Sequence, residues 1–249
     1  MGYGLILTED GSYTLYSKKY EQHFHSVKAG AVNESLSKHV IPALNFSKND
    51  NLKELNILDI CFGIGYNTFS TIDYILKNNI DTKVNFYSPE FDGELIKSLQ
   101  NFEFPDEFND IKYIIDEVSK NNFYEDEQFK IEIFIGDARE YIQTLNNIDV
   151  VYQDAFSSDV NKELWTKEYF SDIYNCTKDN CLMTTYSLAT PIRLSMWESK
   201  FEIYEYRSGN TDRQTVCFKH KNNASLENIK YIDMVLKKER NTTAVSLKD

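Results

Sequence analysis

The sequence predicts an α/β fold: a mainly parallel sheet of seven strands wrapped by helices, ending in an antiparallel strand and preceded by an N-terminal hairpin. Three observations predict it. Short apolar or β-branched runs alternate with helix-like segments through the middle of the chain. A Gly-x-Gly turn joins the first such run to a helix, and acidic residues recur where the runs end.

In chain order, residues 3–16 alternate apolar and polar about Glu9-Asp10-Gly11-Ser12, which reads as the hairpin. Residues 55–60, 84–88, 131–135, 148–153 and 181–186 are each short, apolar and bounded by turn residues, as strands buried on both faces are. Helices are expected at 68–76, 93–100, 139–145, 162–175 and 191–199, the last with Pro191 in its first turn, where a missing N–H costs nothing. Residues 201–206 and 215–219, separated by the turn-like Ser208-Gly209-Asn210, supply two more strands and the antiparallel pairing. Residues 101–130, rich in aromatics and acids, read as an inserted helical region. Leu226, Ile229, Ile232, Met234, Val235 and Leu236 fall at helical spacing and run into Lys237-Lys238-Glu239-Arg240. Residues 225–240 therefore read as an amphipathic helix with cations at its C-terminal end, followed by a frayed tail. The organisation expected is a hairpin and covering segment at 1–45, the main α/β domain at 46–220, and a C-terminal helix and tail at 221–249.

The composition suits a folded domain: 249 residues, 41% hydrophobic and 14% aromatic. With 27 Lys and Arg against 39 Asp and Glu, the charge of −12 argues against a generic polyanion binder. Apolar runs fall far short of the roughly 18 residues of a membrane span, and no secretory signal is visible. Cys61, Cys176, Cys181 and Cys217 are dispersed, and the histidines are not spaced as zinc ligands. Reduced thiols, a cytoplasmic location and no metal are the expectations.

The most informative stretch is Leu58-Asp59-Ile60-Cys61-Phe62-Gly63-Ile64-Gly65-Tyr66-Asn67-Thr68, a strand running into a Gly-x-Gly turn and a helix. Such glycines let the backbone approach a ligand at the C-terminal edge of a sheet. A dinucleotide fingerprint would carry a third glycine where Thr68 stands, so NAD is disfavoured. Asp59, Glu90 and Asp137 put carboxylates at successive strand ends, which suits a cationic cofactor with ribose hydroxyls and an adenine amine, such as S-adenosylmethionine. Asp154, after the fourth strand, faces the same edge; it either caps the next segment or orients a nucleophile.

With these residues in hand, the chain resembles the methyltransferase half of bacterial MnmC and its stand-alone form MnmD. The resemblance rests on Thr8-Glu9-Asp10-Gly11-Ser12, the His25-Ser26, Gly30-Ala31 and Glu34-Ser35 block, Gly63-x-Gly65-x-Asn67, Gly136-Asp137-Ala138, Asp154-Ala155-Phe156-Ser157, Leu164-Trp165-Thr166 and Thr185-Tyr186-Ser187. It implies a class I, Rossmann-like methyltransferase that uses S-adenosylmethionine to convert 5-aminomethyl-2-thiouridine at the tRNA wobble position to its 5-methylaminomethyl form. It further implies that Glu34, Gly63, Gly65, Asn67, Glu90 and Asp137 border the cofactor, joined by Asp59 from the strand-end pattern, with Asp154 as the catalytic candidate. The partners implied are tRNA and a functional link to a separate flavin oxidase. The loop after Asp154 reads Asp159-Val160-Asn161-Lys162-Glu163, where relatives often carry a Lys and an Asn-Pro pair. Their arginine-rich C-terminal stretch is thinner here, leaving Arg193, Arg207, Arg213 and Lys219 as candidate RNA contacts. A spermidine-synthase-like aminopropyltransferase, which the acidic charge suits, and a non-catalytic cofactor-binding module are the alternatives.

Overall fold

The computed structural model describes residues 2–207, 213–220 and 226–249. Strands β1 (Tyr3–Leu7), β2 (Tyr13–Ser17) and β3 (Gln22–His23) form a small antiparallel sheet. A helical run then leads through α1 (Ala31–Ser35), a π-helical turn (Leu36–Val40) and α2 (Ile41–Asn49). The π-turn has a local cause. Pro42 has no N–H to give the Lys38 carbonyl one turn back, and its ring crowds that carbonyl. The freed oxygen accepts instead from Gln214 Nε2, at 2.9 Å.

The main unit alternates β4 (Glu54–Ile60), α3 (Tyr66–Lys77), β5 (Lys83–Glu90), α4 (Gly93–Ser98), α5 (Lys112–Asn121), β6 (Phe123–Glu125), β7 (Phe129–Ile135), α6 (Ala138–Ile142) and β8 (Ile148–Gln153). It continues with α7 (Lys167–Cys176), β9 (Thr177–Thr185), α8 (Thr190–Glu198), β10 (Glu202–Tyr206), β11 (Gln214–Phe218), β12 (Ile229–Tyr231) and α9 (Met234–Arg240). These strands make one sheet in the order β12-β10-β11-β9-β8-β4-β5-β7-β6. Strands β9, β8, β4, β5 and β7 are parallel, and β11 lies antiparallel between β9 and β10. Apolar residues line both faces, as a helix-covered parallel sheet requires. Leu55, Ile57 and Val150 pack with α3, α5 and the π-turn, while Leu58, Ile60 and Val151 pack with α7 and α8.

Several expectations change. The sheet has nine strands rather than seven, because the three-residue strands β6 and β12 add an edge on each side. Their residues are mostly exposed and too few to show a period. The helix expected at 225–240 is split: residues 229–231 pair with β10, and Asp233 starts α9 afresh by accepting the Leu236 N–H at 2.9 Å. Residue 225 and the Ser208-Gly209-Asn210 turn lie outside the described residues. Residues 162–175 also divide, since Thr166 caps α7 through the Tyr169 N–H. Residues 101–130, expected as an inserted helical region, fall in the crossover from β5 to β7 and carry α5, with Ile111, Ile114, Ile115 and Val118 buried in the core. The tail is tied down rather than frayed. Lys167 N–H reaches the Leu247 carbonyl at 2.9 Å, and Thr166 Oγ1 donates to Asp249 at 2.8 Å.

Candidate active site

At the C-terminal edge of β4, β5 and β8 a cavity of about 490 Å³ opens. Its floor is the turn between β4 and α3, where Cys61, Gly63 and Gly65 all take positive φ. Gly65 needs to be glycine for two reasons. Its φ is +80°, and a Cβ there would lie 2.5 Å from the Phe69 ring and 2.7 Å from that of Phe62. The turn is anchored by Glu90 at the end of β5. One of its oxygens accepts the Gly63 N–H and the other the Asp92 N–H, both at 2.8 Å. Burial raises the Glu90 carboxyl above the usual range, and these amides oppose the shift.

Asp154 follows β8 and enters the same cavity. Asn67 Nδ2, from the first turn of α3, donates to its Oδ2 at 2.9 Å, and His39 Nε2 lies 3.5 Å from its Oδ1. Burial is the largest influence on Asp154 and pushes its pKa up. His39, Asn67 and His25 together outweigh it and leave the carboxyl below its ordinary value. His39 sits in the π-turn and is buried, with Nδ1 2.7 Å from Thr184 Oγ1. Thr184 Oγ1 in turn points at the Val151 carbonyl at 3.4 Å, so as donor there it accepts from His39 Nδ1–H. Nε2 is thereby turned toward Asp154, with no hydrogen-bond partner of its own.

The N-terminal sheet walls the cavity from the solvent side. Tyr3 OH donates to Asp92 Oδ2 at 2.8 Å. Phe24 and Tyr20 pack on Phe156 with ring centroids 5.0 and 5.2 Å apart. Gln22 makes two hydrogen bonds to Ser157, at 2.5 and 3.1 Å, fastening this wall to the loop that carries Asp154. The segment leading into α1 is held by Asp10, whose carboxylate collects Thr8, Ser12 and the Asn33 N–H.

Of the residues named from the sequence, Gly63, Asn67, Glu90, Asp137 and Asp154 line this one cavity. Glu34, Asp59 and Gly65 stand outside its lining. Glu34 accepts the Ser26 N–H at 2.7 Å and faces Lys38 at 3.4 Å, so it braces the covering segment. Asp59 is buried beneath the turn, bonded to Thr68 Oγ1 at 2.7 Å, with Oδ1 lacking a partner. Burial raises its pKa to about 8. Asp137 caps α6 and pairs with Arg139 at 2.9 Å, an ion pair that lowers its pKa. The four proposed RNA contacts do not form one patch. Arg193 is buried and donates to Thr215 at 2.9 Å. Lys219 is spent on the Tyr174 and Thr177 carbonyls at 3.0 and 2.9 Å, and Arg207 is exposed but lines neither Arg193's cavity nor that of Asp154. Sequence reasoning missed His39, which no motif marks. It also missed Asn161 and Glu163, which line the cavity and bond each other at 2.7 Å.

A family model described as S-adenosyl-L-methionine-dependent methyltransferase matches residues 108–221. The solved structure of MNMC2 from Aquifex aeolicus superposes with a TM-score of 0.84 at 29% identity, covering 100% of this chain and 79% of that one. These matches support an MnmC/MnmD-like methyltransferase. An uncharacterized protein of Methanocaldococcus jannaschii, MJ0670, is 30% identical over 88% of this chain and 60% of its own length. The tRNA 5-methylaminomethyl-2-thiouridine biosynthesis bifunctional protein MnmC of Leptospira borgpetersenii is 24% identical over 70% of this chain. The chain spans only 28% of that MnmC relative. The residues present fit the cofactor of an MnmC-like enzyme: Glu90 and Asp137 offer acceptors in the cavity, and the Gly63 backbone leaves room for close approach. Among the described residues no helix is long and apolar enough to cross a membrane.

Proposed function

We propose that the chain methylates the exocyclic amine of 5-aminomethyl-2-thiouridine at the tRNA wobble position, with S-adenosylmethionine as donor. The observation that carries the reading is the Asp154 carboxylate, set in the cavity wall by Asn67 and His39. It occurs in a chain whose fold matches MNMC2 of Aquifex aeolicus over its full length. S-adenosylmethionine, when bound, supplies a methyl group on a positively charged sulfur. The amine nitrogen bonds to that carbon as the carbon–sulfur bond breaks, the electron pair leaves with sulfur, and one amine proton departs to a base.

Asp154 acts on this amine in two opposed ways. Its charge orients the nitrogen through a hydrogen bond, but it also favours the unreactive ammonium form. A carboxyl held below its ordinary pKa is a weak base, so orientation is its first task. The proton then needs a second acceptor, and the His39 imidazole, whose Nε2 lies 3.5 Å from Oδ1 without a hydrogen-bond partner, is placed to take it when neutral. A separate reaction must free the amine beforehand, and a flavin-dependent oxidase is the partner the resemblance implies.

The test is single-turnover methylation of undermodified tRNA, with calorimetry of S-adenosylmethionine in parallel. Asp154→Asn should slow transfer by about 100-fold while cofactor affinity stays within a few fold. An unchanged transfer rate removes the role. Mass spectrometry of tRNA from a deletion strain should reveal accumulated aminomethyl nucleoside, and an unaltered wobble profile removes the substrate.

A further inference from the structure

A second cavity of about 510 Å³ lies between α8, β10, β12 and α9, away from the first. It gathers Arg193, Arg213, Lys230, Lys237 and Arg240 against two acids, Glu205 and Asp233, so it is locally positive on a chain of net charge −12. The acids are partly committed. Asp233 caps α9, and Glu205 faces Arg213 at 3.4 Å. Among the described residues, Lys230, Lys237 and Arg240 pair with no acid. Lys238, by contrast, is taken by Glu198 at 3.0 Å.

Arg193 is the decisive residue. Its side chain is only 4% exposed, its Nε donates to the neutral Thr215 hydroxyl, and its Nη2 is buried with no partner. A buried guanidinium is normally matched by a carboxylate, because leaving a charge unpaired away from water is costly. Here no carboxylate bonds it, and the open space it lines is filled out by further cations. Burial lowers the Arg193 pKa, and burial together with Arg193 lowers that of Lys237; Glu205 opposes both shifts without reversing either.

The sheet relates this cavity to Asp154. Tyr152, two residues before Asp154, stands opposite Thr184, then Val216, Tyr204 and Tyr231 in one transverse row. Four strand spacings of about 4.8 Å place Tyr231 roughly 19 Å from Tyr152. Tyr231 lines the cationic cavity and is 57% exposed, so it offers a ring face beside the cations. Guanidinium and ammonium groups together with an exposed aromatic suit a sugar-phosphate backbone with an unstacked base better than a small anion alone.

We propose that this cavity binds a backbone phosphate of the RNA substrate, a few nucleotides from the base delivered to Asp154, with an adjacent base on Tyr231. The inference rests on the tRNA reading above. It explains how an acidic chain holds a polyanion: through one local site on a negative background.

The test compares the full chain with Lys237→Glu/Arg240→Glu and, separately, Tyr231→Ala. Tyr231 and Arg240 are exposed and Lys237 is half-buried, and calorimetry with S-adenosylmethionine checks that each variant keeps its fold. The charge reversal should raise KM for undermodified tRNA at least tenfold with kcat within a factor of two. It should also flatten the slope of log affinity against log salt by about 1 for each phosphate no longer held. Tyr231→Ala should weaken RNA binding with the salt slope unchanged. Fluorescence anisotropy with an anticodon stem-loop measures binding without chemistry, so weaker binding by the variants supports the site even if no methyl transfer occurs. Equal RNA affinity and equal salt slope in wild type and charge reversal overturn it. Inorganic phosphate serves as the other probe. If it binds wild type and not the charge reversal while RNA affinity is equal in both, the cavity is a small-anion site and the RNA proposal falls.

Discussion

Replacing Asp59 by Asn should flatten the chain's dependence of stability on pH. Asp59 is 1% exposed in β4, with one oxygen on Thr68 Oγ1 at 2.7 Å and the other without a partner. Burial, the largest cause, raises its pKa from 3.8 to about 8, so it is folded in as the neutral acid. In the unfolded chain the same group ionises near pH 4. The folded state thus holds a proton that the unfolded state releases. The stabilisation is fully present below pH 4 and is lost as pH rises toward 8. At about 1.4 kcal/mol per tenfold change in proton affinity, the whole effect approaches roughly 5–6 kcal/mol, of which roughly 3–4 kcal/mol falls between pH 5 and pH 8. Asparagine keeps the acceptor for Thr68 and cannot ionise. Urea unfolding of both proteins at pH 5, 6.5 and 8 should give a variant that gains on wild type by up to about 4 kcal/mol across that range. Titrations not coupled to Asp59 cancel in the difference. Parallel stability curves would refute a buried neutral Asp59.

Two further substitutions test other parts of the site. Gly30→Ala should cost about 2–4 kcal/mol in urea unfolding, since φ is +86° and a Cβ would sit 2.0 Å from Asp10 Cγ, in the carboxylate that gathers Thr8, Ser12 and Asn33. A cost below about 1 kcal/mol would mean the covering segment moves freely. His39→Asn leaves a donor on the Thr184 side and removes the nitrogen facing Asp154. Single-turnover transfer should fall by about tenfold or more with cofactor affinity held, and equal rates would show that Asp154 works without it.

Much of the fold and part of the site could be read along the chain. The five parallel strands each carry a short run rich in apolar or β-branched residues, near-continuous in β8 and alternating with Lys130 and Glu132 in β7, and that local signal needs no tertiary knowledge. The Gly63 and Gly65 turn likewise announces itself through residues only that backbone tolerates. The edge strands β6 and β12 left no such trace, since three mostly exposed residues take their conformation from the neighbouring strand. The 225–240 segment shows the competition directly: its apolar spacing fits a helix, but pairing with β10 and the Asp233 cap prevail. Sequence position also singled out Asp154 at a strand end. It could not tell that Glu34 braces the covering segment while Glu90 lines the cavity, because both are acids in suitable motifs. His39 is reached only through a proline-induced π-turn and Thr184, which stands 145 residues away. Arg193, named from the sequence only as a candidate RNA contact, is buried, with Nη2 lacking a partner, which no local pattern shows. The sequence by itself therefore determined the order of strands and helices, the glycine turn and the carboxylates at the sheet edge, since each follows from neighbours within a few residues. Only the tertiary structure decided which charges share a cavity and which are spent on the fold, because burial and pairing depend on segments brought together from the whole chain.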